Sequence, residues 1–296
     1  MSRNTGWVPC DNLPLLVQLC ELWNKERLYE ILWEYACLSP SILIERGARG
    51  WLYYEGGEVA GFALGRERMG WWHMEELWGP STGSNEIDQP AQADDISRAR
   101  RFGKIVQSLH GPILVRAAVD NPFANILARE AGAKWCGGFL LSKRNIRTER
   151  TVHAPRNCRL RRFEKGDEYH LSRIHRKNFD YPLTPEEYRE WAKGPKRQTN
   201  VATVSGRPVG FIIAEKRPYN RIGDFKVAVD PSYHGRGIGS ALLETALNEL
   251  HRMDVRTVIA DFLLLNSPAQ ALYRTHGFRI ARAYNYYKLK LPRQPA

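Results

Sequence analysis

Apolar residues at positions 239, 242, 243, 246, 247 and 250 (Gly, Leu, Leu, Ala, Leu, Leu) recur at helical spacing, with Glu244, Asn248, Glu249 and Arg252 on the other face. That stripe predicts a helix over 238–253 with one buried side. The run Thr257-Val-Ile-Ala-Asp-Phe-Leu-Leu-Leu265 is rich in β-branched and large apolar residues and reads as a buried strand. Ser267-Pro268 predicts the next helix start, with Ser as cap, and Gly277 predicts its end. Upstream, Cys158-Arg-Leu-Arg-Arg-Phe-Glu alternates as a strand, two helices are expected near 167–179 and 184–193, and strands at 199–204 and 208–216. In the first half, 13–37 has helical spacing, 51–64 reads as a hairpin and 98–110 as a further helix. Strands and helices in this order predict an α/β (α+β) chain with helices packed over its sheets.

The junction before the 238–253 helix carries the clearest chemistry. Val227-Ala-Val-Asp-Pro-Ser-Tyr-His-Gly-Arg-Gly-Ile-Gly-Ser-Ala-Leu242 takes a β-rich run through Asp-Pro into a turn with alternating glycines and straight into the helix. A row of backbone N–H groups and a positive helix end then stand where a diphosphate can sit. Gly235, Gly237 and Gly239 let a phosphate approach the main chain, and Arg236 adds a permanent cation. A P-loop is excluded because no Gly-x-x-x-x-Gly-Lys-Ser/Thr run exists. A dinucleotide fingerprint fits poorly, since Pro231 intervenes before the glycines and Ser240 stands where the last glycine belongs.

Together with Asn266…Ala269…Leu272-Tyr273…Gly277-Phe278, the segment His234-Gly-Arg-Gly237-Ile-Gly239 resembles the GNAT superfamily of acetyl-CoA-dependent N-acetyltransferases. Its motif A reads Gln/Arg-x-x-Gly-x-Gly/Ala, and the following motif Asn-x-x-Ala-x-x-Leu-Tyr-x-x-x-Gly-Phe. His234 departs from the usual Gln or Arg. The resemblance implies direct transfer of an acetyl group from acetyl-CoA, as cosubstrate and without a metal, to an amine. It places the thioester in a local parting of the family's fourth and fifth strands, here 224–229 and 257–265. It implies that N–H groups near Val227 and Val229 hold the pantetheine amide and polarise the thioester carbonyl. His234, Gly235, Arg236, Gly237, Ile238, Gly239 and Ser240 form the diphosphate cradle, and Asn266 meets the pantetheine arm. Tyr273 is the expected general acid for the departing thiolate, and it also borders the cofactor. For the base, Asp261 ranks ahead of Asp224, with ordered water as the rival to both. Trp191, Tyr181, Tyr284, Tyr286 and Tyr287 are candidates for the acceptor side.

The two halves of the chain resemble one another. Gly57-Glu-Val-Ala-Gly61-Phe62 matches Gly206-Arg-Pro-Val-Gly210-Phe211, and Asn121-Pro-Phe-Ala124 through Gly132 matches Asn266-Ser-Pro-Ala269 through Gly277. The first copy lacks the alternating glycines. A long acidic loop over 80–95 stands in their place, and Ala128 stands where the second copy has Tyr273. Two GNAT-like domains are therefore expected, each a mixed, mostly antiparallel twisted sheet flanked by helices. They comprise a degenerate copy over 1–147 and a catalytic one over 156–296.

The chain has 296 residues, enough for two ordinary cores. Its net charge of +12 favours anionic partners, although no basic helix with interleaved aromatics argues for nucleic-acid recognition. There is no apolar run long enough for a membrane span, and the first residues lack the core of a signal peptide. Cys10, Cys20, Cys37, Cys136 and Cys158 show no CxxC spacing and read as reduced, mostly buried thiols of a cytoplasmic protein. The sequence does not distinguish a monomer from a homodimer. The acceptor is a small-molecule or protein amine. Two other functions stay open: an aminoacyl-tRNA-dependent transferase of paired-GNAT type, and a non-catalytic acyl-CoA sensor. The intact glycine cradle argues against the first.

Overall fold

The computed structural model describes residues 6–10, 49–68, 71–78, 93–109, 112–119, 122–179, 183–217 and 221–289. The expected helix at 13–37, nearly all of the acidic loop 80–95, and Tyr181 lie outside them. Two compact units divide the chain: Met1–Leu141 with Phe262–Leu265 and Ala281–Ala296, and Ser142–Asp261 with Asn266–Ile280.

The first unit holds β1 (Gly6–Cys10), β2 (Arg49–Glu55), β3 (Glu58–Arg68), β4 (Trp71–Trp78), α1 (Ala93–Ser108), β5 (Ile113–Ala118) and α2 (Pro122–Glu130). Most of β6 (Lys134–Asn145) also belongs to it. The β2–β3 hairpin turns on Gly56 and Gly57, both at positive φ. Strands β1 to β4 pair antiparallel, β4 and β5 run parallel, and the last strand of the chain, β12 (Arg279–Leu289), adds antiparallel to β5. Trp51, Trp72, Met74 and Phe102 fill the core beneath α1. Ala128 is buried there too, and Tyr287 packs against the same cluster while its hydroxyl donates to Asn125 Oδ1 at 3.0 Å. Tyr284 stacks on Phe139 at 4.5 Å. These tyrosines, expected beside the acceptor, thus have packing partners within the first unit.

The second unit begins with β7 (Cys158–Arg162), α3 (Asp167–Arg176), α4 (Pro185–Ala192), β8 (Arg197–Val204), β9 (Arg207–Lys216) and β10 (Ile222–Val229). A short 3-10 turn, Pro231–Tyr233, leads to α5 (Ile238–Arg252), β11 (Thr257–Leu263) and α6 (Ser267–Thr275). Strands β7 to β10 pair antiparallel, and β10 meets β11 in parallel. The apolar stripe of α5 is buried as its spacing predicts, Leu242, Leu243, Ala246 and Leu250 being fully enclosed. Helix α4 starts with a reciprocal capping box between Thr184 and Glu187. Residues 146–150 lie along α5, where Asn248 exchanges two hydrogen bonds with the backbone of Arg150 and Arg252 pairs with Glu149.

Three sequence readings need correction. The cap of α6 is Asn266, whose Oδ1 accepts from Ala269 N–H at 3.1 Å, and Ser267 is already helical. The apolar run 257–265 is not buried throughout, since the strand ends at Leu263 and Leu263 to Leu265 are exposed. Cys136 is exposed and Cys158 half-buried, while Cys10 is buried. No described helix is long and apolar enough to cross a membrane.

Candidate active site

Strand β10 pairs with β9 along nearly its whole length, from Gly223↔Lys216 to Val229↔Gly210. With β11 it pairs only at Ile222↔Thr257 and Gly223↔Val258. Beyond that point the two parallel strands part. Residues 224–227 are half-buried there, whereas both ends of β10 are buried. The direction of the main-chain groups in the gap follows from the ladder. Asp230 N–H donates to Val209 O at 2.7 Å, on the β9 side, and alternate residues of a strand point to alternate sides. Ala228 and Lys226 therefore bond β9, and the N–H groups of Val227 and Val229 turn toward the parting. The tertiary structure thus brings the expected gap, Val227 and Val229 together.

The glycine turn closes one end of this gap. Gly235 and Gly237 have φ of 75° and 79°, left-handed values that strain any residue with a Cβ. Gly237 is the N-cap of α5 and makes no side-chain capping bond, so the first N–H groups of the helix stay available. Gly239 has ordinary helical geometry, and a Cβ there would meet Leu272 Cδ2 only at 3.6 Å. Its requirement is thus the weakest of the three. His234 does not face outward as an anion ligand: its Nε2 meets Val229 O at 2.8 Å and ties the turn to the strand end. Arg236 lies over the Tyr233 ring at 5.0 Å and donates to Ser232 O. Asn266 spends its Oδ1 on the α6 cap, leaving its Nδ2 donors for a ligand.

Side chains of β10 alternate between two faces. Phe225 packs edge-on against Tyr273 at 5.6 Å and near Phe278, on the side of α6. Ala228 packs with Leu171, Ile174 and Tyr188 on the opposite side, which is therefore also that of Asp224 and Lys226. Tyr273 is 7% exposed. Burial and then the charge of Asp261 push its phenol well above the usual value, so it keeps its proton at neutral pH. Burial raises Asp224 to about 6, against the pull of Arg217, with Glu215 and Asp261 adding to the rise. Asp261 itself is exposed, yet its field reaches both Asp224 and Tyr273. Asp261 thus acts on each of the other two, while Asp224 and Tyr273 lie on opposite sides of β10.

Sequence reading missed what surrounds Asp224. Arg217 Nε donates to Asp224 Oδ2 at 2.9 Å, Arg217 also approaches Glu215, and Glu215 pairs with Arg197 at 3.0 Å. The ammonium of Lys226 lies 4.6 Å from the Phe179 ring centre and 5.1 Å from that of Trp191. The buried pair His175 Nδ1 and Tyr188 OH, 2.5 Å apart, supports this face from below. Of these residues only Trp191 stood among the expected acceptor-side candidates. Among the described residues no group of three His, Cys, Asp or Glu side chains is placed to hold a metal.

Residues 168–278 match the acetyltransferase (GNAT) family. The chain is 33% identical over 104 residues to a Bacillus subtilis protein provisionally named a phosphinothricin acetyltransferase, covering 33% of this chain and 64% of that one. It is 42% identical over 64 residues to the ribosomal protein bS18-alanine N-acetyltransferase of Escherichia coli K12, covering 21% and 43%. The matches thus span about two fifths to two thirds of those relatives' lengths. In fold, a GCN5-related N-acetyltransferase from Sphaerobacter thermophilus is similar over 89% of this chain and 90% of its own, with TM-score 0.65 and 17% identity. A tandem GNAT protein from the clavulanic acid biosynthesis pathway covers 84% of each chain, with TM-score 0.59 and 14% identity.

Proposed function

Because residues 168–278 match the acetyltransferase (GNAT) family, we propose that the second unit of this chain transfers an acetyl group from acetyl-CoA to an amine. The observation that carries this reading is the parting of β10 from β11, with unpaired-side N–H groups of Val227 and Val229 beside an uncapped helix start. The residues present fit the cosubstrate. The backbone of Gly235 to Ser240 suits a diphosphate, the gap admits an extended thioester arm, and Asn266 keeps its Nδ2 donors while its Oδ1 caps α6. Acetyl-CoA, when bound, supplies the activated acetyl group.

The chain's own residues then divide the work. Val227 and Val229 N–H groups polarise a carbonyl held in the gap. Asp224, near 6, is mostly ionised at neutral pH and suited to take a proton from an incoming ammonium, with Asp261 as the second carboxylate of the pair. Tyr273 holds its proton firmly, so its hydroxyl acts first as a hydrogen-bond donor to a developing thiolate and completes the transfer only in close contact. In this reading the first unit is a copy without acetyl-transfer chemistry. The core residue Ala128, at the position matching Tyr273, supports it.

The direct test is thiol release from acetyl-CoA, followed against amine panels of amino acids, polyamines and peptide N-termini. Release with one class and not with tRNA-borne substrates upholds the reading. Binding of CoA with no release across every class overturns the transferase role and leaves a sensor.

A further inference from the structure

A cavity of about 280 Å³ opens in the second unit where the ends of β7 and β8 meet α3 and α4. Five cationic side chains, Arg162, Lys165, Arg189, Lys193 and Arg197, and one carboxylate, Glu168, line it. It shares no residue with the parting between β10 and β11. Gathering five like charges around one small cavity is unfavourable unless counter-charges or solvent balance them, and Lys165 and Lys193 are both solvent-exposed.

Three of the five are balanced by the protein. Glu168, buried to 2% exposure, takes Arg189 through Nε and Nη2 at 3.0 and 2.7 Å, and spends its other oxygen on Gly166 N–H. Arg162 pairs with Glu249 at 2.8 Å, and Arg197 with Glu215 at 3.0 Å. Among the described residues no carboxylate lies within ion-pair reach of Lys165 or Lys193. Five cations matched by three carboxylates leave two positive charges lining the cavity. Lysine ammoniums are compact point charges that suit phosphate, and the Phe163 ring offers an apolar contact beside them.

We propose that this cavity binds a small phosphate-bearing molecule, its dianion held by Lys165 and Lys193 at a site separate from acetyl transfer. The arginines already committed to Glu168, Glu215 and Glu249 shape the wall and keep it positive, whereas the two lysines supply the attraction.

The test titrates inorganic phosphate and glycerol 3-phosphate into the full chain by calorimetry at constant ionic strength. Saturable one-site binding is expected, weakened about tenfold or more in the double variant Lys165→Gln/Lys193→Gln, which keeps stem length and removes charge. The variant's folding is checked by circular dichroism and its acetyl-CoA affinity, both expected unchanged. Lys134→Ala, an exposed cation of the first unit, is the control and is expected to bind like the parent. Tighter binding of the monoester identifies an organic phosphate as ligand, and equal binding identifies free phosphate; either upholds the site. No saturable heat with either probe at millimolar concentration, or an equal loss in Lys134→Ala, overturns it.

Discussion

Replacing Gly237 separates backbone geometry from charge at the proposed cradle. At φ 79° an alanine costs about 1–2 kcal/mol in stability, because the left-handed region crowds Cβ against the carbonyl. No clash adds to this, since the new Cβ would meet Pro155 Cγ only at 3.5 Å. Gly237→Glu carries the same strain and places a carboxylate at the helix start, which the helix dipole favours by about 0.3–1 kcal/mol. The glutamate variant is therefore expected to be no less stable than the alanine variant. Its effect on ligand is very different. At an effective dielectric of about 20 and a separation of about 5 Å, each phosphate charge is repelled by roughly 3 kcal/mol, near 10²-fold in affinity. Calorimetric titration of acetyl-CoA should show Gly237→Ala retaining weakened binding and Gly237→Glu losing it, with part of the difference erased by high salt. Equal affinities for the two variants would refute the assignment of a diphosphate to this turn.

Tyr273→Phe is expected to lower turnover by about 10²–10⁴ while acetyl-CoA affinity holds, and equal turnover would remove the proton-donor role. Asp224, raised in the folded state, favours folding while protonated; that contribution is lost as pH rises from the ordinary carboxylate range through about 6. Asp224→Asn should flatten chemical stability across this window and abolish an activity limb near pH 6, and a limb surviving in the variant would pass the base role to Asp261 or water. His175, held neutral by burial with a pKa of about 4, contributes stability above pH 6.5 that is lost as pH falls toward 4. Tyr188→Phe strips its partner and is expected to cost about 1–3 kcal/mol in denaturant melts, and a neutral result would show the pair to be dispensable.

Local patterns carried far here because local constraints produce them. The stripe on 239–250 reports which side of a helix is buried, Gly235 and Gly237 report a backbone that side chains resist, and Asn266 through Phe278 marks a helix start and stop. The GNAT-type α+β class was legible from these. Even so, local reading misassigned the α6 cap. Ser267-Pro268 and Asn266-Ser267 are equally good cap-and-turn dipeptides, and only the Asn266–Ala269 bond separates them.

The sequence by itself determined the helix faces, the glycine turn and the identity of the residues that flank it, since each depends on neighbours within a few positions. Only the tertiary structure decided that β10 stops pairing with β11 after Gly223, and that Asp224 is half-buried beside Arg217 and within the field of Asp261. It alone decided that residues 281–289 complete the sheet of the first unit. Strand pairing and charge burial join residues distant along the chain. Their energies depend on separation in space and on excluded water, quantities that no local spacing encodes.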